Sequence, residues 1–415
     1  MMQDAHSTQA SDSITQFDVV ISGGGIAGYM MALELSASSF RVALLDAQGV
    51  SQVADHVIAD VHDVMPRVSA LTLASMERVK RLGAWEQLNL ERVCLYQDMH
   101  VWDAQGNARV EFSAEEVACE QLGCIIENQE LIAALQRQTA QSDITVYQET
   151  MLNEIQRDEL AHRWTLLLSN GEQVSCALLI GADGAQSFVR TSQLMKTRQW
   201  AYQQHALVAV VDTEIAHGDI ARQRFLASGP LAFLPLASEQ QSLSSIVWSS
   251  TPEHINELIG LDDDAFMHEL ELAFELTLGR VVSVSKRYCF PLTQCHAIDY
   301  VDEGLALVAD AAHAIHPLAG QGINLGIQDV RVLAEEIMRA KRKSSSWYAH
   351  DTLLRYQSRR KVHNLGMMAV VEGFSRLYEN ENLSVSFIRN AGMRWFSKQP
   401  TVKKHLIQRA MGLTL

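Results

Sequence analysis

Three glycines near the N-terminus have the spacing of a turn that holds phosphate groups. Gly23, Gly25 and Gly28 form the pattern Gly-x-Gly-x-x-Gly, and Asp46 follows eighteen residues after the last of them. The first glycine permits a tight bend, the second lets backbone N–H groups approach a pyrophosphate, and the third lets helix and strand pack closely. A carboxylate at the position of Asp46 can accept hydrogen bonds from ribose hydroxyls. The pattern predicts a bound dinucleotide without distinguishing its kind.

A second stretch with the chemistry of a cofactor site is Ala-Asp-Ala-Ala-His-Ala-Ile-His-Pro-Leu-Ala-Gly-Gln-Gly-Ile-Asn, at residues 309–324. We expect a strand to end at Asp310 and a loop with Pro317 and Gly320 to lead into a helix. The N-terminus of such a helix offers free N–H groups and a positive dipole end to an anion. Two such sites, far apart in sequence, can bind both ends of one long cofactor.

Strand and helix patterns place both sites in an α/β fold. Residues 17–22 and 40–46 are short apolar strands on either side of a helical pattern that starts at Ile26. This order predicts a βαβ unit with a parallel strand pair. Asn170 and Gly171 lie between two alternating apolar segments, as in a hairpin turn. Further helices are expected at residues 68–82, 129–139, 253–278 and 320–339.

The same patterns divide the chain into units. A Rossmann-like dinucleotide-binding domain is expected at residues 17–195 and 293–345, interrupted by a mostly antiparallel sheet at 196–292. Such a sheet, set between two halves of a nucleotide-binding domain, makes a natural wall for a substrate pocket. Residues 346–415 are predicted to be a helical segment, and the polar residues 1–16 to be a disordered tail.

Composition excludes two classes of protein. The formal net charge of −15 speaks against a nucleic-acid surface, which normally carries a basic excess. No uninterrupted apolar stretch approaches the roughly 20 residues that span a bilayer. We expect a cytoplasmic protein, since no signal peptide is recognised before the first strand and the cysteines lack metal-ligand spacing. We predict that the six cysteines are reduced and mostly buried: Cys94, Cys119, Cys124, Cys176, Cys289 and Cys295.

The charge of the C-terminal segment differs from that of the rest of the chain. From Arg360 onward there are nine Lys and Arg against three Glu, a formal charge of +6. A basic amphipathic helical segment is attracted to an anionic membrane surface, which would make the protein peripheral at the inner membrane. A solvated helix face packed on an acidic domain explains the same charge equally well.

At these motifs the chain resembles the FAD-dependent aromatic hydroxylases, which are class A flavin monooxygenases, and within them the ubiquinone-biosynthesis hydroxylases of polyprenylated phenols. The resemblance extends over residues 17–413, and the stretch 310–324 is its most specific part. It also includes the glycine turn and residues 67–71, 183–190, 232–236, 245–248, 290–293 and 410–413.

The resemblance implies roles for individual residues. Asp310 would bind the ribityl chain of FAD, Asp183 would hold the pyrophosphate side and guide the nicotinamide donor, and Arg67 would lie against the cofactor. The backbone at Gly320, Gly322, Ile323 and Asn324 would cradle the flavin ring, with Pro317 beside it. Substrate-pocket candidates are Phe233, Pro235, Trp248 and Pro317, and the first three are interpreted as either pocket or core. No protein side chain is assigned as catalytic, because the flavin performs the oxygen transfer.

Two positions depart from the family pattern, and two histidines need a role. Ala309 stands where the family usually has Gly, and Asp46 where it usually has Glu. We expect FAD binding to survive if the backbone at Ala309 keeps a negative φ, because a methyl group is then tolerated. Histidine side chains in general can act as acids or bases near neutral pH. No pattern directs His313 or His316 to a substrate, so we interpret both as structural.

The activity that the resemblance implies is hydroxylation of a polyprenylphenol ring during ubiquinone biosynthesis. NAD(P)H would reduce FAD, O2 would form a flavin hydroperoxide, and other ubiquinone-biosynthesis proteins would be partners. The motifs leave open another isoprenoid oxidoreductase, a scaffold subunit without activity, or a hydroxylase of a soluble aromatic acid. The last would need a buried cation in the middle sheet, where Arg222 and Arg224 are the candidates.

Overall fold

The computed structural model of the protein describes residues 14–51, 53, 56–106, 108–314, 321–379, 390–393, 395 and 399–412. The strands are β1 Thr15–Ser22, β2 Val42–Asp46, β3 Val68–Thr72, β4 Cys94–Tyr96, β5 Asp98–Asp103, β6 Arg109–Ser113, β7 Gly123–Glu127, β8 Thr145–Gln148, β9 Leu152–Asp158, β10 Arg163–Leu168, β11 Gln173–Gly181, β12 Thr197–Thr213, β13 Ile220–Leu226, β14 Gly229–Pro235, β15 Leu243–Ser250, β16 Val281–Val284, β17 Tyr288–Ala297, β18 Val301–Asp302, β19 Leu305–Leu307 and β20 His313–Ala314.

The helices lie between these strands and at the C-terminal end. They are α1 Ile26–Ser36, α2 Leu73–Arg81, α3 Asn128–Thr139, α4 Phe188–Ser192, α5 Pro252–Gly260, α6 Asp263–Ala273, α7 Gln321–Arg342, α8 His350–Glu379 and α9 Pro400–Ala410. Short 3-10 turns occur at Trp85–Gln87, Leu90–Arg92, Ala114–Val117 and Ala309–Ala311.

The first sheet confirms the predicted βαβ unit. β1 and β2 are parallel neighbours with α1 between them in sequence, and Ser22 is paired with Leu45. The parallel core of the sheet has the strand order β19, β11, β1, β2, β8, and the predicted hairpin around Asn170 joins β10 to β11. Thr15 and Gln16, expected in the N-terminal tail, are the first two residues of β1 because they pair with β11.

The first residues of a predicted helix form a strand of a small three-stranded sheet, whose strand order is β3, β7, β4. Val68–Thr72 forms β3, which pairs antiparallel with β7, and α2 begins only at Leu73. Thr72 ends the strand and caps the helix, because its Oγ1 accepts a hydrogen bond from the N–H of Ser75. The helix expected at residues 68–82 is therefore wrong over its first five residues, where strand pairing overrides local helix preference.

The second sheet is larger than the segment 196–292 assigned to it. Among the described residues it has nine strands, in the order β20, β17, β12, β15, β14, β13, β5, β6, with β16 beside β12. β5 and β6 come from before residue 196, and β5 pairs parallel with β13. β17 continues to Ala297, where it pairs with β20 of the cofactor stretch. The second sheet therefore includes residues from outside the predicted segment on both sides of it.

The C-terminal helices pack on both parts of the molecule. The hydroxyl of Tyr356 in α8 donates a 2.8 Å hydrogen bond to the carbonyl of Leu307 in β19. Further along α8, Met367 packs with Phe225 of the second sheet, and Ile407 of α9 packs with Val117. Among the described residues, no helix combines the length and apolar composition needed to cross a membrane.

Candidate cofactor and substrate site

The predicted cofactor residues converge because they follow neighbouring parallel strands. Gly23 follows β1, Asp46 ends β2, Asp183 lies just after β11, and Asp310 lies just after β19. These four strands are adjacent in the order β19, β11, β1, β2. Since parallel strands present their carboxyl ends at one edge of the sheet, all four residues meet at that edge, where open α/β sheets bind ligands.

The glycine turn has the shape that a pyrophosphate requires. Gly23 has φ +119°, and a Cβ there would lie 2.3 Å from the carbonyl oxygen of Ala182. A Cβ at Gly28 would lie 1.9 Å from the carbonyl oxygen of Gly23, so both positions require glycine. A Cβ at Gly25 would meet nothing within 4 Å, and α1 begins there without a side-chain cap. The turn is thus open at Gly25, where the N-terminus of α1 can present backbone N–H groups to an anion.

Asp46 is held in place by residues that the sequence patterns did not identify. The carboxylate is buried, and its Oδ2 accepts hydrogen bonds from the hydroxyl of Tyr29 at 2.6 Å and from Gln136 at 3.3 Å. A Cβ at Gly24 would lie 2.1 Å from the carboxyl carbon, so the carboxylate lies directly against the turn. Burial and the adjacent carboxylate both raise the pKa of Tyr29, which keeps its hydroxyl a donor. The signal in the sequence that could have identified Tyr29 was its polar hydroxyl within the apolar pattern of α1.

Asp183 has one satisfied and one unsatisfied carboxylate oxygen. Its Oδ2 accepts a 3.0 Å hydrogen bond from the N–H of Val189, while its buried Oδ1 has no hydrogen-bond partner among the described residues. A buried acceptor without a donor is costly, so this oxygen suits a donor from a bound molecule. Arg190, which is buried, donates to the carbonyl oxygens of Ala311 and Ala185 and so ties this motif to the Asp310 turn.

The Asp310 turn differs from expectation in its backbone. Ala309 has φ +52°, a left-handed conformation that favours glycine, so the negative φ that was the condition for tolerating its methyl group is not met. Its methyl group is accommodated by Gly326 of α7, where a Cβ would lie 2.7 Å from the Cβ of Ala309. Asp310 is exposed, yet the dense surrounding protein raises the pKa of its carboxyl group, with His313 and Arg67 opposing the rise. Arg67 also lies 5.7 Å over the ring of Phe290.

The start of α7 is attached to β3 and α2. The buried Asn324 accepts hydrogen bonds from the N–H of Thr72 at 3.0 Å and the hydroxyl of Ser75 at 2.7 Å. Gly322 and Ile323 lie in the same first turn of α7, and Ile323 packs against the main core. Pro317, Gly320 and His316 lie outside the described residues, so their predicted roles stay predictions.

The substrate-pocket candidates on the second sheet lie on the wrong face for that role. Phe233, Pro235 and Trp248 alternate to the side covered by α5 and α6, where the Phe233 ring stacks on Phe274 with centroids 3.7 Å apart. These three side chains are buried, so of the two alternatives, pocket or core, the structure supports core. The sequence did not show which face of the sheet lies towards the cofactor.

The opposite face of the second sheet lies towards Arg67, and we call it the cofactor-side face. Its members alternate with the core residues and form cross-strand rows, in which Val208 is opposite Val247 and Val247 is opposite Ala232. Phe290, which contacts Arg67, belongs to the same face. The described cofactor-side positions of this sheet from β12 to β15 are mostly apolar, with Asp212 as a charged exception: Ala206, Val208, Val210, Asp212, Ala221, Gln223, Phe225, Pro230, Ala232, Leu234, Leu243, Ser245, Val247 and Ser249.

Comparison with known proteins identifies the family. The model of the FAD binding domain family matches residues 16–370. The chain is 34% identical to the 3-demethoxyubiquinol 3-hydroxylase of Escherichia coli, with 95% of this chain and 98% of that protein covered. It is 33% identical to the ubiquinone biosynthesis monooxygenase COQ6 of Xenopus tropicalis, with 94% and 92% covered. The chain belongs to the FAD-dependent ubiquinone-biosynthesis monooxygenase family. This confirms the resemblance found in the sequence.

The fold of this monooxygenase is also found in solved structures. PqsL of Pseudomonas aeruginosa, described as a probable FAD-dependent monooxygenase, has a TM-score of 0.74 and 22% identity, covering 91% of this chain and 99% of its own. The predicted α/β fold class is thus confirmed. The residues at the carboxyl edge fit FAD, because they combine a glycine cradle, a buried carboxylate against it and a buried oxygen of Asp183 that has no partner in the part of the chain that the structure describes.

Two arginines of this monooxygenase that were candidates for binding a substrate carboxylate are already paired. Arg224 donates to the carbonyl of Ala273 and to the carboxylate of Glu275 at 2.7 Å, next to α6. Arg222 donates to the carbonyl oxygens of His217 and Ile220. Both alternate to the α5 and α6 side of the sheet, since Arg222 is opposite Phe233. Neither can reach a substrate on the cofactor side.

The basic charge of the C-terminal segment is largely neutralised where its side chains are described. Arg360 pairs with Asp329, Lys361 with Asp299, and Lys403 with Glu116. These pairs agree with a helix face packed on an acidic domain. The prediction of a basic membrane-facing surface therefore has no support from these three residues. All six cysteines are free, and four of them are buried.

Proposed function

We propose that the protein hydroxylates the aromatic ring of a polyprenylphenol on the route to ubiquinone, using FAD, NAD(P)H and O2. The observation that carries the proposal is the 34% identity to a ubiquinol hydroxylase over 95% of the chain. Bound FAD supplies the redox chemistry by taking electrons from NAD(P)H and activating O2.

The protein's own residues bind and orient the reacting groups. The glycine turn and the N-terminus of α1 hold the pyrophosphate, and Asp46 accepts hydrogen bonds from ribose hydroxyls. Asp310, on the neighbouring strand end, holds the ribityl chain, while Asp183 completes the pyrophosphate side. The apolar cofactor-side face of the second sheet excludes water and holds the ring by shape.

The apolar character of that face favours a prenylated phenol over a soluble aromatic acid. A carboxylate in a closed pocket needs a cation, because burying an unpaired charge is costly. Arg222 and Arg224 are turned to the other face and engaged there. Val208, Val247 and Ala232 offer instead the apolar surface that an isoprenoid requires.

A turnover experiment tests the proposal directly. The FAD-loaded protein is mixed with NADPH or NADH and either a short-chain polyprenylphenol or 4-hydroxybenzoate. Hydroxylated product is measured by mass spectrometry against NAD(P)H consumed. Near-stoichiometric hydroxylation of the prenylated phenol is expected, with uncoupled or no oxidation for the acid. The reverse result would overturn the substrate class, and an absence of flavin reduction would indicate a scaffold.

We also propose that the C-terminal segment contacts a membrane surface through apolar side chains. Val362, Leu365 and Val370 of α8 are exposed, and Trp395 and Val402 beyond it are exposed as well. Exposed apolar side chains concentrated on one segment mark an interaction site. A prenylated substrate partitions into lipid, so a membrane-facing helix next to the substrate sheet shortens its path.

Vesicle flotation distinguishes membrane binding through apolar side chains from electrostatic attraction to anionic lipids. We expect association with neutral phosphatidylcholine vesicles that persists at 0.5 M salt, and its loss in Leu365→Asp. Leu160→Asp is the matched control, because Leu160 is 96% exposed at a distant hairpin. Binding only to anionic vesicles would contradict the apolar mode. Leu365→Asp could also leave vesicle binding unchanged and weaken binding to other ubiquinone-biosynthesis proteins. That result would show that this face is a protein interface.

A further inference from the structure

A buried carboxylate lies directly behind the turn that carries Asp310. Asp329 of α7 has no exposed surface, and its Oδ2 accepts hydrogen bonds from the N–H of Ala309 at 3.1 Å and from His313 Nε2 at 2.5 Å. Ala309 and His313 stand on either side of Asp310 in sequence. One carboxylate oxygen therefore holds both ends of the segment that presents Asp310 to the cofactor.

The hydrogen bond to Ala309 supports a backbone conformation that alanine does not favour. Ala309 has φ +52°, a region that side chains with a Cβ rarely adopt. Such conformations persist only where the surroundings over-determine them, and they cluster at functional sites. Because Asp329 accepts the N–H of that residue, it supports the left-handed turn from the buried side, together with the hydrogen bond from the N–H of Ala312 to the carbonyl of Ala309.

The other oxygen of Asp329 is held by α8. Its Oδ1 accepts hydrogen bonds from Arg360 Nε at 2.7 Å and Asn364 Nδ2 at 3.2 Å. Arg360 is itself buried and donates to Asn364 Oδ1 at 2.7 Å, while Asn364 reaches the hydroxyl of Tyr300 at 3.4 Å. Burial raises the pKa of Asp329, but His313 and Arg360 outweigh that effect and hold the pKa at about 2.

We propose that Asp329 is a positioning residue for FAD, acting through Ala309 and His313 to fix the direction of Asp310, with Arg360 of α8 balancing its charge. Asp329 itself does not touch the cofactor in this arrangement. The inference rests on FAD binding at the carboxyl edge and is independent of which phenol is the substrate. It makes the first half of α8 part of the cofactor site.

The test measures FAD affinity of the deflavinated full-length protein by quenching of flavin fluorescence. Asp329→Asn keeps the volume but removes a charge-assisted acceptor, so we expect FAD binding to weaken roughly tenfold to a hundredfold. Asp143→Asn, an exposed carboxylate after α3, is the matched control and should bind FAD like the wild type.

A second substitution distinguishes positioning from general stability. Glycine adopts the left-handed turn without help, so Ala309→Gly in the Asp329→Asn background should restore FAD binding to within about threefold of wild type. A merely structural Asp329 would lower the melting temperature of the apoprotein without such rescue. FAD affinity unchanged in Asp329→Asn, or not improved by Ala309→Gly, would overturn the proposal.

If Asp329→Asn does not fold, variants of His313 test the same proposal, because His313 is hydrogen-bonded to Asp329. His313→Gln keeps a side-chain N–H for Asp329, whereas His313→Leu does not. We expect His313→Leu to weaken FAD binding at least tenfold more than His313→Gln, with both proteins folded by circular dichroism. Equal FAD affinity in the two variants would overturn the role assigned to this contact. The two proposals fail in different ways. A wild-type protein that binds FAD but does not hydroxylate the phenol would overturn the proposed substrate, whereas unchanged FAD affinity in the variants would overturn the role of Asp329.

Discussion

The hydroxyl of Tyr29 lies 2.6 Å from Oδ2 of Asp46, and both groups are buried beside the glycine turn. Tyr29→Phe removes this donor from a buried carboxylate, so we expect a loss of about 1.5–3 kcal/mol in the free energy of unfolding and weaker FAD binding. Urea unfolding and flavin titration measure the two effects. Tyr147→Phe, with a partly exposed ring, should change neither by more than about 0.5 kcal/mol.

A second prediction concerns the ion pair between α1 and α2. Glu34 and Arg78 are both buried and form a direct salt bridge, while burial raises the pKa of Glu34 against the opposing effect of Arg78. Arg78→Met leaves a buried carboxylate without its partner and should cost about 3–5 kcal/mol of unfolding free energy. Denaturant unfolding checks this value. Arg81→Met, an exposed position of the same helix, should be nearly neutral, and equal effects of the two would contradict the prediction.

The pH dependence of stability should contain a contribution from His296. Burial, with a further contribution from the neighbouring His313, lowers the pKa of His296 to about 4. In the unfolded chain the pKa of His296 is about 6.5. Between pH of about 4 and about 6.5, the unfolded state therefore binds a proton at this residue and the folded state does not. Stability should therefore fall as pH falls from about 6.5 to about 4, by roughly 3 kcal/mol from this residue.

Comparison with a variant isolates this contribution. His296→Gln should flatten the decrease in unfolding free energy between pH 6.5 and pH 4, whatever its effect at pH 7. His268→Gln removes an exposed histidine of α6 and should keep the wild-type slope. If His296→Gln and the wild type lose stability in parallel over this range, the lowered pKa is wrong.

Neighbouring residues of β14 should respond in opposite ways to substitution. Ala232 lies on the cofactor side and is partly exposed, whereas Phe233 is buried in the core with α5 and α6. Ala232→Phe should raise the KM for the phenol at nearly constant unfolding free energy, because it narrows the substrate face. Phe233→Ala should cost about 3–5 kcal/mol through a core cavity. Steady-state kinetics and urea unfolding of both variants check this, and a KM effect confined to Phe233→Ala would reverse the assignment of faces.

Much of the cofactor site could be predicted from the sequence because its determinants are local. Gly23 needs a positive φ and Gly28 allows a close backbone approach, so glycine at these positions carries the conformation with it. The order of strand, helix and strand then fixes a parallel pair whose carboxyl ends coincide. FAD and the family, predicted from these motifs, are confirmed by the family match.

The substrate face could not be predicted in the same way. Alternation along β14 separates two sets of side chains, but both sets are mostly apolar, and β15 is buried at nearly every position, so hydrophobicity alone does not tell the two faces apart. The sequence therefore left Phe233 and Trp248 as either pocket or core, and only the structure shows that helices from residues 252–273 cover them. The joining of β5 to β13 is a parallel contact across more than a hundred residues, with no local signal.

The sequence by itself determined the glycine turn, the acidic residues at the strand ends and the family, because each depends on residue type at short spacing. Only the tertiary structure decided which sheet face lies towards the cofactor and what holds the Asp310 turn. Ala309 and Asp329 are twenty residues apart, and Arg360 is thirty-one further on. Contacts between such distant residues depend on how the helices pack, and packing is set by the whole core.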